Sequence, residues 1–194
     1  MKQRMMVWIL SLVLLSGGSV AQGRAESRNI APDATITEGR RYSDDYLGAF
    51  TADGKVPESQ SGQDRGRAWC VPQAQAAGAT LTYAWPEVIT VGEIVYYGRT
   101  AWLWNENFLQ VEIYTDAASV PVAKADLRRG HGPQRITLET PVQTQTLTLK
   151  FTRADTGPNP GASEIRIYST PPEPGVLGVF RPVSGEPMEF EHSQ

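Results

Sequence analysis

Apolar and polar residues trade places at every second position through much of this chain, and that alternation restricts what it can fold into. ATLTYAW sets Ala79, Leu81, Tyr83 and Trp85 on one side and threonines on the other. FLQVEIYTD sets Leu109, Val111 and Ile113 against Gln110, Glu112 and Tyr114. QRITLET adds Ile136 and Leu138, and QTLTLKFTR sets Leu147, Leu149 and Phe151 against Thr146, Thr148 and Lys150. SEIRIYS closes the series with Ile165 and Ile167. Successive side chains of a strand point to opposite faces, so such segments bury one face and wet the other. ITVGEIVYYG is a denser apolar run, as expected of a strand covered on both sides. Gly, Pro, Asp and Asn break the segments at short intervals, which suits antiparallel strands joined by turns. VPQAQAAGA holds helix formers, but it is short and contains Gly78. With no long stripe of 3.6-residue period beyond the first segment, the expected fold is an all-β sandwich.

The ends of the chain read differently. Lys2 and Arg4 precede an apolar run from Met5 to Leu15, and Ser19-Val20-Ala21 follows. This is the pattern of an export signal, residues 1–21, cut after Ala21. The run is too short to cross about 30 Å of hydrocarbon, so no membrane span is expected after cleavage. The mature chain is expected to be secreted or periplasmic. Residues 22–28 read as a linker, 29–170 as the sandwich, and 171–194 as a Pro-rich, acidic tail or linker. Val176, Leu177, Val179 and Phe180 form an apolar cluster in that tail, suited to docking on the sandwich or to a protein partner.

About 170 residues suffice for one domain burying roughly 70% of its unfolded surface. The net charge of −3 gives no general attraction to nucleic acid or anionic membranes. Cys70 is the single cysteine, so no disulfide can form within the chain. It follows Trp69 in an apolar setting and reads as a small buried hydrophobe. Packing or a metal must therefore hold the domain together.

Several stretches, in order and spacing, resemble the discoidin domain, also called the coagulation-factor type C domain, of the galactose-binding-like superfamily. They are NIAPDATIT at 29–37, AFTADGKVP at 49–57 with Trp69 downstream, ATLTYAWPEVITVGEIVYYGR, and GASEIRIYS at 161–169. The chain is also similar to family 32 carbohydrate-binding modules. GHGPQRITL and GPNPGASEI are most similar to discoidin-type domains of large secreted bacterial proteins. The resemblance implies an antiparallel jelly-roll β-sandwich and a structural calcium (Ca2+) site. By motif, Asp53 and Glu164 would supply its side chains, backbone carbonyls near Phe50 and Ser163 would add to the shell, and Glu58 is a further candidate. Calcium takes about six to eight hard oxygens and accepts backbone carbonyls readily. Ile165 and Ile167 are expected to face the core, so Glu164 is expected on the opposite side. Lys55 departs from the family pattern, and its ammonium could replace the ion with a salt bridge.

GRTAWLWNENF, at 98–108, is the most unusual loop. Trp102 and Trp104 stand among Arg99, Asn105, Glu106 and Asn107. A sugar site needs this mixture, a flat ring for the apolar face of a pyranose and planar polar groups for its hydroxyls. The candidate ligand residues are Trp102, Trp104, Arg99 and Asn105; either indole could instead cap the core. LRRGHGPQR concentrates Arg128, Arg129, His131 and Arg135, which suits a solvated hairpin tip or contact with an anionic group. The sequence holds no nucleophile elbow, zinc-protease motif or phosphate loop, and Asp44-Asp45 read as turn residues. The sequence thus reads as an exported, non-catalytic binding module for carbohydrate or a cell-surface polymer. The alternative is a structural or protein-interaction domain with no small-molecule ligand.

Overall fold

The computed structural model describes residues 27–183, except 117 and 174. The expected export signal, most of the linker and residues 184–194 of the tail lie outside the described residues. Among the described residues nine strands follow in chain order: β1 (Thr35–Glu38), β2 (Trp69–Cys70), β3 (Ala79–Gly98), β4 (Phe108–Thr115), β5 (Ala123–Asp126), β6 (Gly130–His131), β7 (Pro133–Ala154), β8 (Gly161–Tyr168) and β9 (Arg181–Pro182). Helical structure among the described residues is confined to short 3-10 turns at Ala31–Asp33, Gly48–Ala52 and Gln73–Gln75. The helix formers of VPQAQAAGA yield only the last of these.

Two long strands build both layers. The first part of β3, from Ala79 to Ala84, pairs with β1 and with residues 146–151 of β7. The last part of β3, from Glu93 to Gly98, pairs with β8 and with residues 133–137 of β7. Register shifts between Ala84 and Ile89, and between Val91 and Glu93, mark the bend where both strands pass from one layer to the other. Strands that change sheets through bulges make the corners of such sandwiches. β4 and β5 extend one layer beyond β7, and β2 closes the other beyond β8. All of these pairings are antiparallel.

The alternation maps onto the core as the sequence requires. Leu81, Tyr83, Val111, Ile113, Leu147, Leu149, Phe151, Ile165 and Ile167 are fully buried. The dense run is also covered on both sides, since every residue from Val91 to Gly98 is buried. One position departs. A bulge between Phe108 and Gln110 puts Phe108 in the core and leaves Leu109 half-buried. Phe108 then stacks on Phe151 with ring centroids 4.1 Å apart, and Trp69 leans on both. The indole N–H of Trp69 donates to the Arg40 carbonyl, and that of Trp85 to the Ile30 carbonyl, so both rings are buried with their polar atoms satisfied. Cys70 is buried, and loss of hydration pushes its thiol up to about 12.

The segment after β8 turns back on the sandwich. Leu177 packs with Val95, Tyr97 and Tyr168, and β9 pairs with β6, Arg181 standing opposite His131. Close approach depends on glycine here. A Cβ on Gly132 would lie 2.5 Å from the Val179 carbonyl.

Closer still is Gly161, whose Cβ would lie 2.1 Å from the Trp69 carbonyl oxygen and 2.8 Å from the Cys70 side chain. Neither the backbone nor the buried thiol can move aside without parting β2 from β8. Gly161→Ala is therefore expected to cost about 2 kcal/mol or more, read as a lowered midpoint in urea unfolding. An unchanged midpoint would show that this pairing carries little of the fold.

Candidate functional site

The loop end of the sandwich is organised around a buried arginine. Arg99 follows the last residue of β3, and its backbone N–H donates to the Gly161 carbonyl at 3.2 Å. Its side chain is 4% exposed. Nε donates to Asp64 Oδ2 at 2.6 Å, Nη2 to Asp64 Oδ1 at 3.3 Å, and Nη1 to Glu106 Oε2 at 2.5 Å and to the Asn159 carbonyl at 3.0 Å. The guanidinium carbon also lies 5.1 Å from the centre of the Tyr46 ring. Burial works against its charge, but the neighbouring Glu106 and Asp64 outweigh that and hold its pKa above the ordinary arginine value. Burial in turn raises Glu106, with Arg99 opposing the rise.

Arg99 and Asn105, expected at the ligand surface, therefore lie beneath it. Asn105 is 6% exposed, and its Nδ2 donates to Thr156 Oγ1. The tryptophans lie further out: Trp102 is 45% exposed and Trp104 is half-buried. The Trp102 indole N–H donates to Asp64 Oδ1 at 2.8 Å. One edge of the ring rests near Gly62, where a Cβ would stand 3.7 Å from it. A flat apolar ring is thus fixed at the surface with its polar atom already satisfied.

Residues the sequence did not single out complete this end. Asp64 is fully buried and also accepts from the Tyr46 hydroxyl at 3.2 Å. Tyr42, 54% exposed, stands edge-on to Tyr46 with centroids 5.9 Å apart. Asp64 and Tyr42 lie in loops without periodicity, far from Arg99 in sequence. The only local hint was an aromatic pair, Tyr42 and Tyr46, in an otherwise polar stretch.

The acids expected to hold calcium do come together. The Gly54 N–H donates to Glu164 Oε2 at 3.2 Å, which seats the Asp-Gly turn on β8. Glu164 faces away from Ile165 and Ile167, yet it is fully buried rather than exposed. Arg166 Nε approaches its other oxygen at 3.4 Å, and Lys55 pairs with Asp53 at 3.1 Å. Ser163 has no partner in the register between β3 and β8, which skips from Glu164 to Ala162. Glu58 does not join this pair. It lines a neighbouring cleft with His131, and no group of three His, Cys, Asp or Glu suited to a metal occurs among the described residues. Any ion here would lean on Asp53, Glu164 and backbone oxygens. These are hard oxygens of the kind calcium takes, but donors already meet them, the Gly54 N–H and Arg166 at Glu164 and the Lys55 N–H and ammonium at Asp53, so an ion would have to displace those donors.

No protein-family profile matches the chain, and no curated protein matches its sequence. Solved structures do match. A family 32 module of C. perfringens NanJ, solved with galactose, aligns with a TM-score of 0.60 at 14% identity, covering 73% of this chain and 98% of that one. The C. perfringens module CpGH89CBM32-5, solved with GalNAc-β-1,3-galactose, aligns with a TM-score of 0.59 at 13% identity, covering 73% and 99%. The family 32 module of Streptococcus pneumoniae EndoD gives 0.58 at 18% identity, covering 74% and 100%. The fold is the galactose-binding-like β-sandwich. At such identities the likeness concerns the backbone, and no side-chain role is carried across by it.

Within this sandwich, a buried carboxyl ties stability to pH. Burial pushes Glu164 up from 4.5 to about 7, Arg166 and the Gly54 N–H opposing the rise, with Asp53 adding to it. A carboxyl raised on folding stabilises the fold while protonated. That stabilisation is complete below about pH 4.5 and lost as pH rises through about 7. It amounts to roughly 3 kcal/mol at about 1.4 kcal/mol per unit. In chelator, the wild type is expected to lose stability between pH 5 and pH 8, and Glu164→Gln to flatten that dependence, as read by urea unfolding.

Arg99→Ala strands Asp64 and Glu106 in the interior. It is expected to cost roughly 3–5 kcal/mol, with Arg99→Lys recovering only part of that because an ammonium cannot span both carboxylates. Unfolding midpoints unchanged by Arg99→Ala would instead place this side chain among the ligand contacts.

Proposed function

We propose that this chain is an exported, non-catalytic module that binds carbohydrate through its loop end, with Trp102 as the stacking surface. The observation that carries this reading is an exposed indole whose N–H is held by a buried carboxylate. Stacking on a sugar needs a rigid ring that brings no unsatisfied donor with it, and Asp64 supplies that. Tyr42 offers a second exposed ring at the same end. The carboxylates beneath Trp102 are engaged by Arg99, which suits a binding role better than acid–base chemistry. The neighbours of like fold solved with galactose and with GalNAc-β-1,3-galactose make neutral galactose-type sugars the first ligands to test. Among the described residues no helix is long and apolar enough to cross a membrane, which is compatible with export of the domain.

On an array of neutral glycans, saturable binding is expected. Trp102→Ala is expected to weaken it at least tenfold while changing stability by less than about 1 kcal/mol, because half of the ring is already in water. Trp102→Phe should retain part of the affinity. Silence across the array from folded protein would turn the assignment toward an interaction domain. Val176 and Val179, 69% and 76% exposed on the returning segment, would then be the surface to test.

We further propose that calcium is held by Asp53 and Glu164, tying the first long loop to β8. When bound, the ion would neutralise a buried carboxylate and so stabilise the folded state. Adding millimolar calcium after chelator is expected to raise the melting temperature by several degrees at pH 8, as for any ligand that binds only the folded state. Asp53→Asn and Glu164→Gln should abolish the response. No shift in the wild type after verified metal removal would leave Lys55 and Arg166 as the permanent partners of these acids.

A further inference from the structure

A second surface, on the other side of Thr100 from Trp102, remains unexplained by sugar stacking. The returning segment and β6 border an open cleft of about 510 Å³. That is within the range of small-molecule sites, about 300–1,000 Å³, and wide enough for a sugar ring rather than a bare ion. Its walls come from five separate parts of the chain: Val56 and Glu58, Tyr97, His131 to Pro133, Arg166, and Gly175 to Val179 with Arg181.

The charges in this cleft do not balance. β9 sets Arg181 directly opposite His131, and residues so placed in an antiparallel pair project to the same face. Arg166 lines the cleft from β8, its guanidinium 4.9 Å from the Tyr97 ring centre. Glu58 is the one carboxylate among the lining residues. Among the described residues no ion pair joins Arg181 to a carboxylate, and Arg166 makes a long pair with Glu164 and a hydrogen bond with Tyr168. Thr100 Oγ1 occupies His131 Nδ1 at 2.9 Å, which leaves Nε2 as the ring nitrogen free to meet a ligand. Burial lowers the pKa of His131; the charge of Glu58 opposes that, and the smaller effect of Arg181 adds to it. Two arginines thus line the cleft against one carboxylate, and a guanidinium with free donors is suited to an oxyanion.

The rest of the cleft has the opposite character. Val56, Pro133 and Leu177 supply apolar surface, and the glycines leave room beside it. A ring with one apolar face and one anionic substituent matches both halves. We infer that this cleft is a second binding site, for a pyranose carrying an oxyanion, either the carboxylate of a uronic acid or a sulfate ester. Arg181 and Arg166 take the anion, and the apolar wall takes the ring. The site exists only with the returning segment docked, since that segment supplies Arg181 and one wall.

Calorimetric titration of the full chain tests this with oligogalacturonate, a sulfated galactan oligomer, a neutral galactan oligomer and inorganic sulfate. One or both anionic oligomers are expected to bind, with affinity falling about tenfold or more on Arg181→Gln and falling with added salt. Trp102→Ala should leave that binding unchanged, so failure of the loop-end site and failure of this one are separable. Gly132→Ala, which drives a Cβ into the Val179 backbone, is expected to displace the segment and weaken anionic binding even with Arg181 intact. Preference for the carboxylated or the sulfated oligomer identifies the anion. Equal affinity for the neutral oligomer, full affinity in Arg181→Gln, or inorganic sulfate binding as tightly as the oligomers would each overturn the assignment.

Discussion

Arg99 is the charge on which the loop end depends. It joins Tyr46, Asp64, Glu106 and Asn159, which come from four separate loops, and it does so from a side chain that is 4% exposed. Loops have no ladder to fix them, so their relative positions must come from side chains. A guanidinium suits this task because its fork can serve two carboxylates and a carbonyl at once and keeps its charge when buried. The stabilisation of such a pair relative to an apolar core is small, but its geometric demand is strict. Asp64 then transmits that order outward, holding the Trp102 N–H and the Tyr46 hydroxyl on the same oxygen.

The same logic separates what the sequence reveals from what it hides. Alternation made β3, β4, β7 and β8 legible, because a period of two is imposed by strand geometry within each segment. It failed at Leu109, where a bulge that leaves no mark in composition shifts Phe108 into the core. Parity put Glu164 on the face away from Ile165 and Ile167, but parity does not say what covers that face. Here the Asp-Gly turn does, 110 residues away in sequence. The resemblance to discoidin-type domains brought Asp53 and Glu164 together, whereas residue type alone suggested that Arg99 and Asn105 were ligand groups. Polar residues beside tryptophan look alike whether they face a sugar or one another. The partner that decides the matter, Asp64, lies 35 residues upstream of Arg99.

With no disulfide available to its single cysteine, the domain replaces covalent closure with shared strands. β3 and β7 each serve both layers, so neither layer can separate without breaking ladder bonds in the other. The aromatic group of Trp69, Tyr96, Phe108 and Phe151 fills the space between them. The opening NIAPDATIT stretch adds a further tie. Asn29 Oδ1 accepts from the Ile167 N–H at 2.9 Å, and the Ile30 N–H donates to the Ile167 carbonyl at 2.8 Å. Both ends of the sandwich sequence therefore meet on β8.

The two candidate surfaces are near neighbours with separate chemistry. Arg99 turns its side chain inward to Asp64 and Glu106, and the next residue, Thr100, turns to His131 in the cleft. The Thr100 carbonyl accepts from the Gln60 N–H at 2.8 Å, and the Ala101 carbonyl from the Gly62 N–H at 2.7 Å. Residues 100–101 thus form a backbone wall between the two. Asp64, which holds the Trp102 N–H, does not line the cleft, and energetic effects are additive where sites share no partners. Thr100, whose hydroxyl holds one nitrogen of His131, offers a route for coupling between them. A chain of this length can in this way present a neutral stacking surface and a basic cleft side by side, each set by its own charges.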